Sequence, residues 1–391
     1  MPRLIVGMAT EAGCDSAERA RSSWYTSRES TRRTAVAPER TLFVGTYTAP
    51  GKSKGIYVYR QDPTSGALRH QLTVPDIVNP SWVLVHPSHR FLFAAIETKE
   101  YEGQLSGGVA SFAIDQATGG LTFLSRQASG GGDPCNLAVD PSGSFLFVAN
   151  HESGTTGVLP IETDGRLLPA THIVQHYGHG PRQHQEGPHA HFVTPDPFGR
   201  FIIVVDKGID KVMVYRLDPR GGTLIPNDPP YVEFPAGAGP RHMSFHPSGR
   251  FAFVCGEQDS TVNALQFDSI TGSFDLIQSE SSLPSGFDGR NSTAQIVVEP
   301  SGRFVYTSNR GHDSLAIHAI DQSSGHITLV GHQSTGGKTP RNFNVDPTGR
   351  FLYAANQNSD TIVPFVIDDE TGKLSALEAV EAPTPVCLQF M

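Results

Sequence analysis

A twelve-residue phrase occurs six times in this 391-residue chain, and it limits the fold more than any other feature. "HPSHRFLFAAIE" at 86–97 returns as "DPSGSFLFVANH", "DPFGRFIIVVDK", "HPSGRFAFVCGE", "EPSGRFVYTSNR" and "DPTGRFLYAANQ". The turn prolines Pro87, Pro141, Pro197, Pro247, Pro300 and Pro347 stand about fifty residues apart, a period that belongs to radially or linearly repeated units. A second set of turns is interleaved with the first: "DPTSGAL", "DQATGGL", "ETDGRL", "DPRGGTL", "DSITGSF", "DQSSGHI" and "DDETGKL", seven in all. Short Asp/Pro/Gly turns between apolar runs join antiparallel neighbours.

Each period then holds four strands, for example "RHMSFH", "FAFVCG", "VNALQFD" and "FDLIQSE". A four-stranded sheet repeated at this length is a propeller blade. The period exceeds that of WD40 repeats, and no Trp-Asp signature is present. The chain ends fix the number of blades. "TLFVGTY" at 41–47 reads as a second strand with no inner strand before it, and "PVCLQF" at 385–390 as an inner strand with nothing after it. Joined, they complete a seventh blade and close the ring, which leaves no open edge. The expectation is an all-β, seven-bladed propeller over residues 39–391, its ring closed by the C-terminal strand pairing with the N-terminal blade. Residues 1–38 are rich in Arg and Ser, carry Glu11, Asp15, Glu18 and Glu29, and lack the apolar core of a secretory signal. They read as a flexible N-terminal extension.

A net charge of −9 argues against a nucleic-acid partner, whose binding needs a basic face. A small anion can still be taken up in a locally positive cleft. No apolar run approaches the roughly 18 residues of a membrane span. Cys14, Cys135, Cys255 and Cys387 are far apart with no C-x-x-C spacing, which suggests neither disulfides nor a zinc knuckle and fits a reduced, cytoplasmic setting. A monomer or small homo-oligomer is expected.

In such a blade the start of the inner strand and the end of the second strand share one face, because the two are antiparallel and joined at the opposite end by "PSGR". The "PSGR" face repeats one recipe, whereas the other carries His, Arg, Glu and Asn. There "HYGHGPRQHQEGPHAHF" at 176–192 places His189 and His191 at the start of an inner strand. A His-x-His pair has metal-ligand spacing if a third ligand comes from elsewhere, but no second spacing supports it. Catalysis or substrate binding is the favoured role for at least one of the pair, and no metal or cofactor is expected. His176, His179 and His184 read as solvated loop residues. Arg241 and His242 begin the next inner strand and Glu257 closes the second strand of the same blade, either as a salt bridge or as an acid–base pair. Arg310 and Arg341 converge on the same face and suit a phosphate or carboxylate. Lys207 ends another second strand, and Asn136, Asn150, Asn309, Asn356 and Gln357 offer neutral donors or turn-satisfying groups. No G-x-S-x-G elbow, P-loop or G-x-G-x-x-G before a helix is present, so hydrolysis here would use activated water.

The chain resembles the lactonase family of seven-bladed propellers, and within it the 6-phosphogluconolactonase branch. The resemblance rests on "FVGTYT", "SKGIYVYR", "NPSWVLVHP", "GGVASFAID", "ANHESG", "RQHQEGPHAHFVTPD", "GAGPRHMSFHPSGRFAF", "SNRGHDSLAI", "PRNFNVDPTGRFLYAANQN" and "PVC". It implies hydrolysis of a phosphorylated sugar lactone in the oxidative pentose phosphate route, without metal or organic cofactor. It also implies a His, an Arg, a Glu and a second Arg around the cleft, which fall on His191 (His189 the alternative), Arg241, Glu257 and Arg310. Opening a δ-lactone requires deprotonated water, donors for the oxyanion and a proton for the leaving ring oxygen. On this reading Glu257 or His191 is the base, Arg241 steadies the oxyanion, and Arg310 or Arg341 with Lys207 holds the phosphate. His189, His242, Asn309 and Gln357 complete the expected substrate-binding set. The rival readings are a carboxymuconate-lactonizing cycloisomerase and a propeller that binds without catalysis.

Overall fold

The structure is a computed structural model that describes residues 38–48 and 52–391. The extension expected over residues 1–38 therefore lies, as far as Ala37, outside the described residues, and so does Cys14. The described chain forms seven antiparallel sheets. Blade 1 runs from Val83–Val85 to Leu121–Ala128, blade 2 from Pro134–Val139 to His172–Gln175, and blade 3 from Ala190–Pro195 to Thr223–Glu233. Blade 4 runs from Pro240–Phe245 to Phe274–Ser281 and blade 5 from Ser292–Val298 to Ile327–Ser334. Blade 6 begins at Pro340–Val345, and its outer strand is split into Leu374–Ala376 and Val380–Glu381. Blade 7 is assembled from both ends of the propeller: Pro385–Phe390 pairs antiparallel with Arg40–Thr46, which pairs in turn with Gly55–Gln61. The ring closes as the sequence indicates.

The second strands read as unbroken apolar runs because both of their faces are buried. In Phe251–Gly256 the side chains of Phe251, Phe253 and Cys255 pack against blade 5, while Ala252 and Val254 pack against blade 3. Alternation at period 2 thus feeds two different seams. Seven hydrophobic clusters result, one for each pair of adjacent blades. Each buried Phe or Leu in them contributes about 1.5–3 kcal/mol.

The two turn families interlock. In blade 5 the glycine of the "DQSSGHI" turn, Gly325, has φ +75°, and a Cβ there would lie 2.5 Å from the ring of Phe251 in blade 4. Gly372 stands in the same relation to Phe304, also at 2.5 Å. A side chain is excluded at these points both by the backbone and by the neighbouring ring. The Asp-Gly turn of one blade is therefore seated on the phenylalanine that follows the "PSGR" turn of the blade before, which accounts for the co-occurrence of both phrases.

At the opposite face the inner strands begin irregularly. Register shifts fall between Pro134 and Asn136, Ala190 and Phe192, Pro240 and Met243, Thr293 and Ile296, and Pro340 and Asn342. A bulge bends a strand and re-aims its side chains. Cys135, His191, Arg241, His242 and Arg341 all sit within these bulges. Cys135, Cys255 and Cys387 are free and buried; burial pushes their thiols up to about 12, 11 and 12.

Candidate active site

Glu257 lies at the centre of the face picked out by the sequence. Its Oε1 is 3.0 Å from Lys207 Nζ, and its Oε2 is 2.7 Å from Arg241 Nε and 3.2 Å from Arg310 Nη2. Burial alone would raise the carboxyl, but Lys207, Arg310 and Arg241 outweigh it and hold its pKa well below the usual carboxylate range. Arg241 is 2 % exposed. Burial and the neighbouring Arg310 lower its guanidinium to about 10, with Glu257 acting in the opposite direction, so it stays charged at neutral pH. Its Nη1 donates to the carbonyl of Ala294 and lies 3.2 Å from His242 Nε2. His242 Nδ1 bonds Gln295 Oε1. An amide oxygen only accepts, so Nδ1 carries the proton and Nε2 receives from Arg241. His242 is thus neutral and fully engaged. It fixes Arg241 from behind, packed against Trp82 and Phe192 at 5.6 and 4.9 Å between ring centroids.

His191 lies beside it, 5.1 Å from the His242 ring and 5.5 Å from that of His151. Burial, with Arg241 and His242 close by, holds His191 well below an ordinary histidine, so the imidazole is neutral, and its Nδ1 has no protein partner. His189 stacks on His151 at 4.6 Å and bonds the His151 carbonyl through Nδ1 at 2.8 Å. Four imidazoles therefore meet, His151 joining the His189, His191 and His242 expected from the sequence. Among the described residues, however, no group of three or more His, Cys, Asp or Glu is spaced to hold a metal ion.

Arg341 approaches from blade 6, its guanidinium 5.3 Å from the centre of the Tyr47 ring. Burial opposes its charge, but Tyr47, Glu97 and Glu257 outweigh burial and raise its pKa. The Tyr47 hydroxyl donates to Glu97 Oε1 at 2.8 Å. Glu97, Arg341, Arg241, His191, Trp82 and Ser81 line a small cavity of about 10 Å³ at the channel floor. Lys207 and Glu257 open instead on a vestibule of about 630 Å³, which Arg182, His184 and Arg290 also line.

Several expectations need correction. His176 is not solvated: it is 3 % exposed, its Nδ1 lies 2.7 Å from Asp206 Oδ2, and its ring stacks on Tyr215 at 6.2 Å. The chain folds back so that His176 meets Asp206 at the end of a second strand, whose other oxygen accepts from the His189 and Gly208 backbone N–H groups. Asn309 is not available to a substrate. Its Oδ1 accepts from Ser282 Oγ and Asn291 Nδ2, and its Nδ2 donates to the Ser282 carbonyl at 2.8 Å. Gln357 opens a short 3-10 turn, Gln357–Ser359, and its backbone N–H donates to the Thr339 carbonyl; it lines neither of the two cavities. Arg310 is largely committed, donating to the Ser292 and Thr293 carbonyls and to Ser292 Oγ besides meeting Glu257. Glu97, Tyr47, His151, Arg182 and Arg290 were not singled out. Glu97 and His151 close the same twelve-residue phrase that ends in Lys207, Glu257 and Arg310, so reading that last position around the whole ring would have found them.

Residues 41–390 match the family described as "Lactonase, 7-bladed beta-propeller". The chain belongs to this lactonase family. It is 38 % identical over 350 residues to a 6-phosphogluconolactonase of Bacillus subtilis, spanning 89 % of this chain and 97 % of that protein. It is 30 % identical over 306 residues to a 6-phosphogluconolactonase of Formosa agariphila, 77 % and 85 % of the two chains. Among solved structures, the periplasmic gluconolactonase of Pseudomonas aeruginosa superposes with a TM-score of 0.85 at 33 % identity, covering 90 % of this chain and 99 % of that one. Among the described residues, no helix of this lactonase-family chain is long and apolar enough to cross a membrane.

Proposed function

We propose that this lactonase hydrolyses the δ-lactone of a phosphorylated sugar acid, 6-phospho-D-glucono-1,5-lactone, to 6-phosphogluconate. The observation that carries the reading is the excess of cations around the two cavities. Arg182, Lys207, Arg241, Arg290 and Arg341 line the two cavities against only Glu97 and Glu257, on a chain of net charge −9. That excess suits a substrate with a phosphate at one end and a carbonyl that becomes an oxyanion at the other.

The residues divide the work by what each has left to offer. Arg241 is fixed by His242, Ala294 and Glu257, and Arg341 has no hydrogen-bonded protein partner in the cluster. Together they present preorganised donors to the carbonyl oxygen, where charge develops. Arg182 and Arg290 at the vestibule, with Lys207 beneath, receive the phosphate as bidentate and point-charge partners. Glu257 gathers three cations in one place. With both oxygens occupied and its proton affinity depressed, it serves as a positioning anion and a poor base. His191, neutral and with a free Nδ1, is suited to orient the attacking water.

The test follows the disappearance of 6-phosphogluconolactone against its spontaneous hydrolysis. Acceleration proportional to enzyme is expected, and its absence would overturn the reading. The Pseudomonas relative's name favours a second substrate, the unphosphorylated gluconolactone. A preference for that compound in the same assay would move the phosphate contacts out of the mechanism.

A further inference from the structure

The small cavity at the channel floor is ringed by polar atoms that the fold leaves unpaired. Ser81 Oγ, Trp82 Nε1, Glu97 Oε2 and His191 Nδ1 are all buried without a protein partner, and all four residues line the same space of about 10 Å³. Buried polar groups in native proteins are nearly always satisfied, so four around one cavity mark a polar occupant. Its volume is about that of a single water-sized probe, and a buried water typically makes about three hydrogen bonds. Trp82 Nε1 only donates, Glu97 Oε2 as a carboxylate only accepts, and His191 Nδ1 and Ser81 Oγ complete the set.

We propose that this cavity seats the hydrolytic water and that Glu97 is the base that takes its proton. The inference rests on the lactonase reading above and assigns the one role which that reading leaves open. The other groups within reach are spent or are poor acceptors. His191 has a free Nδ1, but burial with Arg241 and His242 beside it disfavours its protonated form. Glu257 is saturated by three cations, both ring nitrogens of His242 are bonded, and the buried Cys135 thiol, pushed up to about 12, stays protonated. Glu97 alone has one oxygen fixed, by the Tyr47 hydroxyl, and the other free and facing the cavity. Arg241 and Arg341 line the same cavity, so a carbonyl docked on them lies against the water.

The step balances without a cofactor. A water proton passes to the Glu97 carboxylate as the water oxygen bonds to the lactone carbonyl carbon. The carbon–ring-oxygen bond then breaks, its electron pair stays on the ring oxygen, and the Glu97 carboxyl returns the proton there. The charged and titratable groups facing Glu97 come from five blades: Tyr47, Cys135 with Asp133, His191, Arg241 and Arg341.

The experiment uses the full chain and the phosphorylated lactone. Glu97→Gln is expected to lower kcat by about 10²–10⁴-fold with KM changed by no more than about threefold. Glu97→Ala is expected to regain turnover with added formate, a small carboxylate that fits where the side chain was, and a merely structural role for Glu97 predicts no such rescue. Glu97→Asp, which keeps the charge, covers the case in which Glu97→Gln melts early: it folds, but its carboxylate stops a methylene short and turnover falls at least about tenfold. Glu97→Gln or Glu97→Asp turning over like the wild type, or an alanine variant deaf to formate, overturns the base assignment. A wild-type chain that fails to hydrolyse any lactone overturns the lactonase reading instead.

Discussion

Replacing Glu257 by Gln keeps the shape of the side chain and removes the anion on which three cations converge. The contacts are 3.0, 2.7 and 3.2 Å long, and the side chains of Glu257, Lys207, Arg241 and Arg310 are 15, 9, 2 and 15 % exposed. At an effective dielectric constant of about 20, one such pair attracts by about 5 kcal/mol before desolvation is counted. Desolvation of four ions offsets most of that, but removing one partner leaves the others buried and uncompensated, which costs about 3–5 kcal/mol. Unfolding entropy of about 2.1 cal/mol/K per residue over the Pro38–Met391 unit amounts to about 0.7 kcal/mol/K, so Tm should fall by about 4–7 °C at pH 7. The folded-state pKa of Glu257 is depressed. Its stabilisation is therefore fully present above the ordinary carboxyl value and is lost as pH falls through the folded one. Calorimetry from pH 7 down to pH 3 should show the Tm gap between wild type and variant narrowing with acid. A Gln variant that melts at or above the wild type at pH 7 would refute the reasoning, because the cluster would then be held apart by packing alone and Glu257 would be a strain rather than an anchor.

Arg241→Lys removes the planar donor that His242 and Ala294 hold in place, and kcat for lactone hydrolysis should fall by about 10²–10³-fold. Steady-state kinetics on purified variant checks this, and unchanged kcat would exclude Arg241 from the oxyanion. Arg290→Ala, alone and with Arg182→Ala, should raise KM for the phosphorylated lactone with kcat nearly preserved. The effect should shrink at high salt and vanish for unphosphorylated gluconolactone. Asn309→Ala should leave KM unchanged and cost about 0.5–1.5 kcal/mol of stability, since Ser282 Oγ, Asn291 Nδ2 and the Ser282 carbonyl each lose one bond but keep a second partner in Ser260 or His332; urea titration measures it. Because His191 is held far below an ordinary histidine, the pH–rate profile should lack a histidine limb between pH 6 and 7, and His191→Asn should leave the shape of the profile unaltered while lowering kcat.

The fold was legible because it is written in local chemistry. The "PSGR" and Asp-Gly turns, the period-2 strands buried on both faces and the orphan strands at 41–47 and 385–390 each report a neighbour a few residues away or a missing pairing partner. Repetition then multiplies each signal around the ring. The same logic picks out the face on which His191, Arg241 and Glu257 come together. What sequence could not convey is which groups are already satisfied. Asn309 and Gln357 share the rim with Arg341, yet only a tertiary structure shows Asn309 closed in a latch and Arg341 left free. His176 reads as one more loop histidine until Asp206, thirty residues on, is seen to hold it. Glu97 and Arg341 are 244 positions apart and meet because blades 1 and 6 flank the closing blade and the inner strands bulge at the channel. Residue type and turn spacing are local properties of the chain, whereas the charge, hydration and free valence of a side chain depend on atoms delivered from across the ring, and these were decided only when the seven sheets closed.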